Sequence, residues 1–284
     1  MKRRVHLGIS TCPNDTFAFH GILTGAVSHP ALDVQIDLRD VQELNKAFAA
    51  GEFDIAKGSF YAALMHSDSL WVLPSGSALG FGVGPLLLAA GDKKRPVTPS
   101  TPSTPLVLCP GEHTTAHLLY RLFHAGEGQV EQRLFSEIMP ALEAGQADLG
   151  VCIHEGRFTW RERGLELVED LGTRWEADCG HPLPLGGLFA RRSAGIELAR
   201  DMQQLIRDSI EYAHANRDEA ALSMRRYAAE QSDEVLYAHV DLYVNEWTLD
   251  LGEIGESALA MLSERARSSA LLAPDQPGLE ILPR

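Results

Sequence analysis

The sequence predicts an α/β protein of two similarly built lobes with a ligand cleft between them. Three observations predict this. Short apolar runs bounded by polar or Gly residues alternate with helix-like segments, the pattern of buried strands and their connecting helices. The pattern also repeats: Ala50-Gly51-Glu52-Phe53-Asp54-Ile55-Ala56 is echoed by Ala144-Gly145-Gln146-Ala147-Asp148-Leu149-Gly150, 94 residues later. Between the copies lies GDKKRPVTPSTPSTP (91–105), rich in Pro, Thr and Ser and without apolar periodicity, which reads as an exposed connection.

The elements run in order. VHLGI (5–9) reads as a strand, STCPND as a polar loop, and 16–24 as a helix that Asn14 or Asp15 can cap. A helix then stops at Gly51, and Asp54 leads into a strand that exits to Lys57-Gly58-Ser59. GVGPLLLA (82–89) reads as a strand able to serve as one hinge, and LGGLFA (185–190) as the matching return segment. PLVLC (105–109) is the second lobe's counterpart of VHLGI, followed by PGEHT and a helix over 115–123 with Thr114 as its cap. A helix stops at Gly145, and the apolar run 149–153 ends abruptly in His154-Glu155-Gly156-Arg157. Ile196, Leu198, Met202, Leu205, Ile206 and Ile210 have helical spacing, as do Leu236, Val240, Tyr243, Val244 and Trp247 behind a Ser232 cap. A third stripe runs through Leu259 and Leu262, and 274–284 reads as a loose tail. These helices are expected to pack on the first lobe. The expected division is therefore 1–90 plus 188–284 for lobe I, 91–104 for the linker and 105–187 for lobe II.

At 284 residues the chain exceeds one domain of ordinary size. Its net charge of −14 argues against nucleic acid and against an anionic membrane surface as partners, while leaving a local pocket free to take an anionic small molecule. The basic start MKRR is followed by only Val5–Ile9 before Ser10, short of the ~7 apolar residues of a secretion signal. No window approaches the ~18 apolar residues of a transmembrane helix. The reading is a soluble, cytoplasmic protein whose oligomeric state stays open. Cys12, Cys109, Cys152 and Cys179 lack metal-type spacing and read as small, mostly buried thiols. GxGxxG, P-loop, HExxH and GxSxG patterns are missing, so no cofactor or metal is expected.

His154 is the main catalytic candidate. It stands at a strand's end, where open α/β sheets place ligands, and imidazole changes charge nearest neutral pH. A structural histidine closing the strand is the competing reading. Glu155 and Arg157 can orient it, hold an anion or form a solvated pair. Lys57 and Ser59 leave the equivalent strand and can meet a carboxylate or hydroxyl, or be an exposed Lys and a turn Ser. Thr114 and Thr115 start a helix; capping explains one of them. Cys12 precedes a helix start, but a spectator thiol is favoured over a nucleophile.

Together STCPNDTFAFHG (10–21), KGSFYAAL (57–64), SALGFGVGPLLLA (77–89), PGEHTTAHLL (110–119), GVCIHEGRFTW (150–160), PLPLGG (182–187) and SDEVLYAHVDLYVN (232–245) resemble the 1,4-dihydroxy-6-naphthoate synthase family of the futalosine route to menaquinone. The resemblance runs in order over nearly the whole chain. It implies the type II periplasmic-binding-protein fold and cleavage of a carbon–carbon bond in cyclic dehypoxanthinyl futalosine. The products would be 1,4-dihydroxy-6-naphthoate and a dihydroxyacetone fragment. It puts the family's proton acceptor at His154 and its substrate-binding segments at Lys57, Gly58 and Ser59 and at Thr115 and Ala116. Gly58 departs from the apolar residue expected there, which matters little if the contact is through backbone. A non-catalytic solute-binding protein and the sibling chorismate dehydratase, which makes 3-enolpyruvyl-benzoate, are the competing functions.

Overall fold

The computed structural model describes residues 2–91, 104–228 and 232–283; the expected linker at 91–104 falls, but for its two end residues, outside them. In chain order the elements begin with β1 (Arg3–Ser10), α1 (Pro13–Ala18), α2 (His20–Thr24), β2 (Leu32–Arg39), α3 (Val41–Ala50), β3 (Ile55–Ser59) and α4 (Phe60–Leu64). Then come β4 (Leu70–Val72), β5 (Ala78–Gly80), β6 (Leu86–Ala90), β7 (Leu106–Cys109), α5 (Thr115–Phe123), β8 (Gln129–Gln132) and α6 (Phe135–Glu143). Next are β9 (Leu149–Cys152), α7 (Gly156–Thr159), β10 (Leu165–Asp170), α8 (Leu171–Cys179) and β11 (Leu183–Arg191). The described chain closes with α9 (Ile196–Ala215), α10 (Arg217–Tyr227), α11 (Asp233–Tyr243), α12 (Glu246–Leu249) and α13 (Gly252–Ser268).

Two compact units result: Met1–Gly80 with Pro184–Arg284, and Phe81–Leu183. The first unit holds a sheet of order β2-β1-β3-β11-β4, with β5 also on β11. β1 runs parallel to β2 and β3, and β11 antiparallel to β3 and β4. Strand alternation sorts β1 into two faces. Val5, Leu7 and Ile9 join the core made with Leu198, Met202, Leu205, Ile206 and Ile210 of α9, the helix stripe expected from spacing. On the other face Gly8 leaves room for Leu44 of α3 and the Phe53 ring, which a Cβ would meet at 2.9 and 3.0 Å. Phe17 of α1 is buried with Ala220 and Met224 of α10 and with Leu236 and Val240 of α11.

The second unit holds a sheet of order β10-β6-β9-β7-β8. β7 is parallel to β8 and β9, while β6 is antiparallel to β9 and β10. Its core joins Leu86, Leu88 and Leu108 to Ile138, Met139 and Leu142 of α6 and to Trp160.

The sequence echo has a structural cause. Gly51 and Gly145 each come after a helix with left-handed backbone, φ 90° and 67°. Asp54 and Asp148 then each accept a hydrogen bond from a backbone N–H of the neighbouring parallel strand, His6 at 2.9 Å and Leu106 at 2.8 Å. The aspartate thus pins the strand start in both units.

Several elements differ from the sequence reading. The Leu86–Ala90 strand, expected in lobe I, is hydrogen-bonded to β9 and β10 of the second unit, and the unit boundaries fall at 80/81 and 183/184. The strand expected over 82–89 begins only at Leu86. Asn14 and Asp15 do not cap the first helix: Cys12 is its N-cap, Pro13 starts it, and both side chains bond elsewhere. The 236–247 stripe is not one helix. It breaks at Val244, and Asn245 caps α12 with its side chain. Nor is the tail loose: Val72 N–H donates to the Glu280 carbonyl, Leu282 N–H to the Val72 carbonyl, both at 2.8 Å, and Leu282 is buried. A run with so few apolar residues carries no signal for a strand-like addition to β4. No helix among the described residues is long and apolar enough to cross a membrane.

Candidate active site

In the second unit β9 delivers His154. The strand ends at Cys152, and the chain reverses through a turn closed by Gly156 N–H to the Ile153 carbonyl at 3.1 Å. His154 takes φ 55°, left-handed backbone that a non-glycine residue adopts at a cost on the order of 1 kcal/mol. The half-buried imidazole meets the Phe135 ring edge-on, with centroids 4.9 Å apart. The turn sits against α6 and β9, where a Cβ on Gly156 would lie 3.3 Å from the flexible Met139 methyl and at an ordinary contact distance of 3.5 Å from Cys152 Cβ.

Arg157 is not a solvated charge. It is ion-paired with Asp170 at 2.7 Å and donates to the Gly84 carbonyl at 2.8 Å.

β7 is the parallel neighbour of β9, so the loops after both strands leave the same edge of the sheet, where α/β proteins gather ligand-binding groups. The loop after β7 leads to Thr114, whose hydroxyl donates to the Gly111 carbonyl at 2.7 Å and accepts from His117 N–H at 3.2 Å. Thr114 is therefore the cap. Thr115 and Ala116 come next, buried in the first turn of α5. The loop is braced by His117 Nδ1, which donates to the Glu112 carbonyl at 2.7 Å, and by Gln132, which accepts from Gly111 N–H at 3.0 Å. Burial pulls the His117 pKa down, partly offset by the bond to Glu112.

In the first unit Lys57, Gly58 and Ser59 form the last three residues of β3. Lys57 is not an exposed lysine. Its ammonium lies 2.8 Å from Asp15 Oδ1 and donates to the Gly76 carbonyl at 2.7 Å. Asp15 in turn accepts from the Ser10 hydroxyl at 2.6 Å and from the Asn14 amide at 2.9 Å. Ser59 is held at both ends by Asn45: its N–H donates to Asn45 Oδ1 at 2.9 Å, and its hydroxyl accepts from Asn45 Nδ2 at 3.2 Å. Gly58 has a reason as well. A Cβ there would meet Asn45 Oδ1 at 2.7 Å and the Phe189 ring at 3.1 Å.

Asn45 and the Asp15–Lys57 pair escaped sequence reasoning. Asn45 left one trace, a polar residue between Leu44, Ala47 and Phe48 on the buried face of α3. The Asn14 side chain accepts from His239 Nε2 at 3.0 Å, joining α1 to α11, and nothing local announces a partner 225 residues away. Cys109 and Cys152 are buried, which pushes both thiols up to about 12 and leaves them inert near neutral pH. Among the described residues no group of three or more His, Cys, Asp or Glu side chains is placed to hold a metal ion.

A family model described as menaquinone biosynthesis matches residues 5–268. The chain belongs to the menaquinone biosynthesis family. It is 42% identical over 271 residues to a 1,4-dihydroxy-6-naphthoate synthase of Thermus thermophilus, spanning 95% of this chain and 96% of the relative. A protein of the same name from Streptomyces coelicolor is 38% identical over 283 residues, with the same coverage of 95% and 96%. The chain is accordingly an enzyme of menaquinone biosynthesis. Among solved structures, a protein of Archaeoglobus fulgidus has a TM-score of 0.86 at 27% identity, covering 95% of this chain and 98% of that one. The ligand-binding component of an ABC-type import system from Staphylococcus aureus (TM-score 0.71, 13% identity, 99% and 97% covered) has the same fold. So has the alkanesulfonate-binding protein of Xanthomonas axonopodis pv. citri (0.69, 11%, 96% of each chain). The family member described here therefore has the two-lobed, periplasmic-binding-protein-like α/β fold.

Proposed function

We propose that the protein is a carbon–carbon lyase that converts cyclic dehypoxanthinyl futalosine to 1,4-dihydroxy-6-naphthoate and a dihydroxyacetone fragment. The observation that carries this reading is the 42% identity to the Thermus relative, spread over 95% of the chain. His154 is the general base. Its neutral imidazole takes a proton from the bound substrate, the carbon–carbon bond breaks with its electron pair leaving on the dihydroxyacetone fragment, that fragment takes a proton back, and aromatisation of the naphthoate draws the reaction forward. Support for the role comes from its place at the end of β9 and from the left-handed backbone, since strain of this kind gathers at functional sites.

Substrate contacts are assigned to Thr115 and Ala116 in the second unit and to Lys57, Gly58 and Ser59 in the first. The substrate is an anionic small molecule. Thr115 and Ala116 stand in the first turn of α5, a helix start of the kind that suits a carboxylate. In the 57–59 segment the Lys57 charge is taken up by Asp15, so the groups proposed to meet substrate are the backbone and the Ser59 hydroxyl. The reaction as written needs no cofactor, and the compartment is proposed to be the cytoplasm.

The deciding experiment offers purified protein both cyclic dehypoxanthinyl futalosine and chorismate. The expected result is release of 1,4-dihydroxy-6-naphthoate from the first and no change in the second. Consumption of chorismate alone would assign the sibling dehydratase, and binding without turnover would assign a solute-binding protein.

A further inference from the structure

We propose that Arg157 is a positioning residue for His154, acting through a half-buried clamp that no substrate atom needs to touch. The inference rests on the reading of His154 as the base. His154 stands in left-handed backbone at φ 55°, a conformation that persists only where its surroundings over-determine it. The next element in the chain is α7, a helix of four residues, too short to hold a direction by itself. The first side chain it can use as an anchor is Arg157, whose own N–H closes on the His154 carbonyl at 3.1 Å.

The Arg157 guanidinium grips two separate segments. One Nη donates to the Gly84 carbonyl at 2.8 Å, the other to Asp170 Oδ2 at 2.7 Å. Both side chains of the ion pair are only 18% exposed. Asp170 is itself fixed, because its other oxygen accepts from Gly172 N–H at 3.0 Å and Thr173 N–H at 3.1 Å as the cap of α8. The Gly84 and Gly172 backbones lie against each other, so that a Cβ on either would overlap the other's main chain. Leu171 N–H donates to the Pro85 carbonyl at 3.0 Å, and Gly82 N–H to Glu176 at 2.7 Å. The 82–85 segment and the start of α8 thus form one rigid block, and Arg157 ties the His154 turn to it. The planar fork of arginine makes both bonds at once, which a lysine ammonium at the same length does not reproduce.

The test compares Arg157→Lys and Arg157→Met with the unaltered enzyme under turnover. It also follows the His154 ring by NMR of histidine-labelled protein, assigned by its loss in His154→Asn. The expected result is a fall in kcat of about tenfold to a hundredfold with KM changed less than about threefold, and a displaced His154 resonance. Recovery of Arg157→Ala turnover by added guanidinium, and not by sodium at equal ionic strength, is expected as well. Should Arg157→Met not fold, Arg157→Lys carries the same comparison. Turnover within about twofold of normal, a loss confined to KM, or an unmoved His154 resonance overturns the proposal. Full activity in His154→Asn would instead remove the base, a failure of the function reading, and the resonance would still report whether Arg157 holds the ring.

Discussion

The Lys57 ammonium lies 2.8 Å from a carboxylate oxygen of Asp15, and both side chains are buried. The two charges tie in two further segments: Asp15 holds Ser10 at the end of β1, and Lys57 holds the Gly76 carbonyl. Removing one partner of such a pair leaves the other charge buried and uncompensated, which typically costs about 3–5 kcal/mol. Lys57→Met is therefore expected to lower the free energy of unfolding in urea by about that amount, and Asp15→Asn with Lys57→Met by clearly less than the single change. A Lys57→Met protein as stable as the parent would show the pair to be solvated.

His154→Asn is expected to fold normally, because asparagine tolerates left-handed backbone. Its turnover is expected to fall by about 10² to 10⁴, the usual loss when one general base is removed. Circular dichroism and steady-state kinetics on the same preparation check both halves. Near-normal turnover in this variant would take His154 out of the role.

Gly58→Ala tests the fit around Ser59. The added methyl would push on Asn45 Oδ1 and the Phe189 ring, and Asn45 is what holds Ser59. Overpacking of this kind costs about 1–3 kcal/mol. The expected outcome is a lower melting temperature together with a raised KM. An unchanged KM would separate Ser59 from substrate binding.

His117 gives a pH dependence with a definite sign. Burial pulls its pKa below the ordinary 6.5, so the unfolded chain binds the proton more readily than the folded one. The stability from its neutral form is complete above 6.5 and drains away as pH falls through 6.5 toward the folded value. His20, also lowered by burial, acts in the same direction. Replacing His117 by Gln is expected to flatten the fall in melting temperature below 6.5. An equally steep acid limb in that variant would show that other groups cause it.

Cys109 and Cys152 are buried, with thiols pushed up to about 12, so alkylation of the native protein is expected to spare both. Cys12→Ser is expected to keep substantial activity. A folded but inactive Cys12→Ser protein would revive a nucleophilic thiol.

The parts legible in the sequence were those decided by neighbours along the chain. The α9 stripe, the Thr114 cap, the Gly51 and Gly145 stops and the position of His154 after β9 all express local periodicity or capping. The parts that were not legible depend on distant partners. Asp15 reads as a cap until Lys57, 42 positions on, claims its carboxylate. Arg157 reads as surface charge until Asp170 and Gly84 enclose it. The tail reads as loose because its hydrogen bonds are made by backbone to β4, and backbone bonding leaves no mark on residue type.

The strand order of the first sheet carries a consequence for biosynthesis. Among the described residues β4 and β5 are joined to β3 through β11, which begins at the last residue of the second unit, Leu183. A nascent polypeptide halted before Leu183 holds every residue of the second unit's sheet, yet it exposes β3 as an open edge with unpaired amides. Every strand of the interior unit is thus synthesised before the strand that completes its host's sheet. Truncated or slowly translated chains are expected to aggregate through that unfilled slot, which the arrival of one late strand seals.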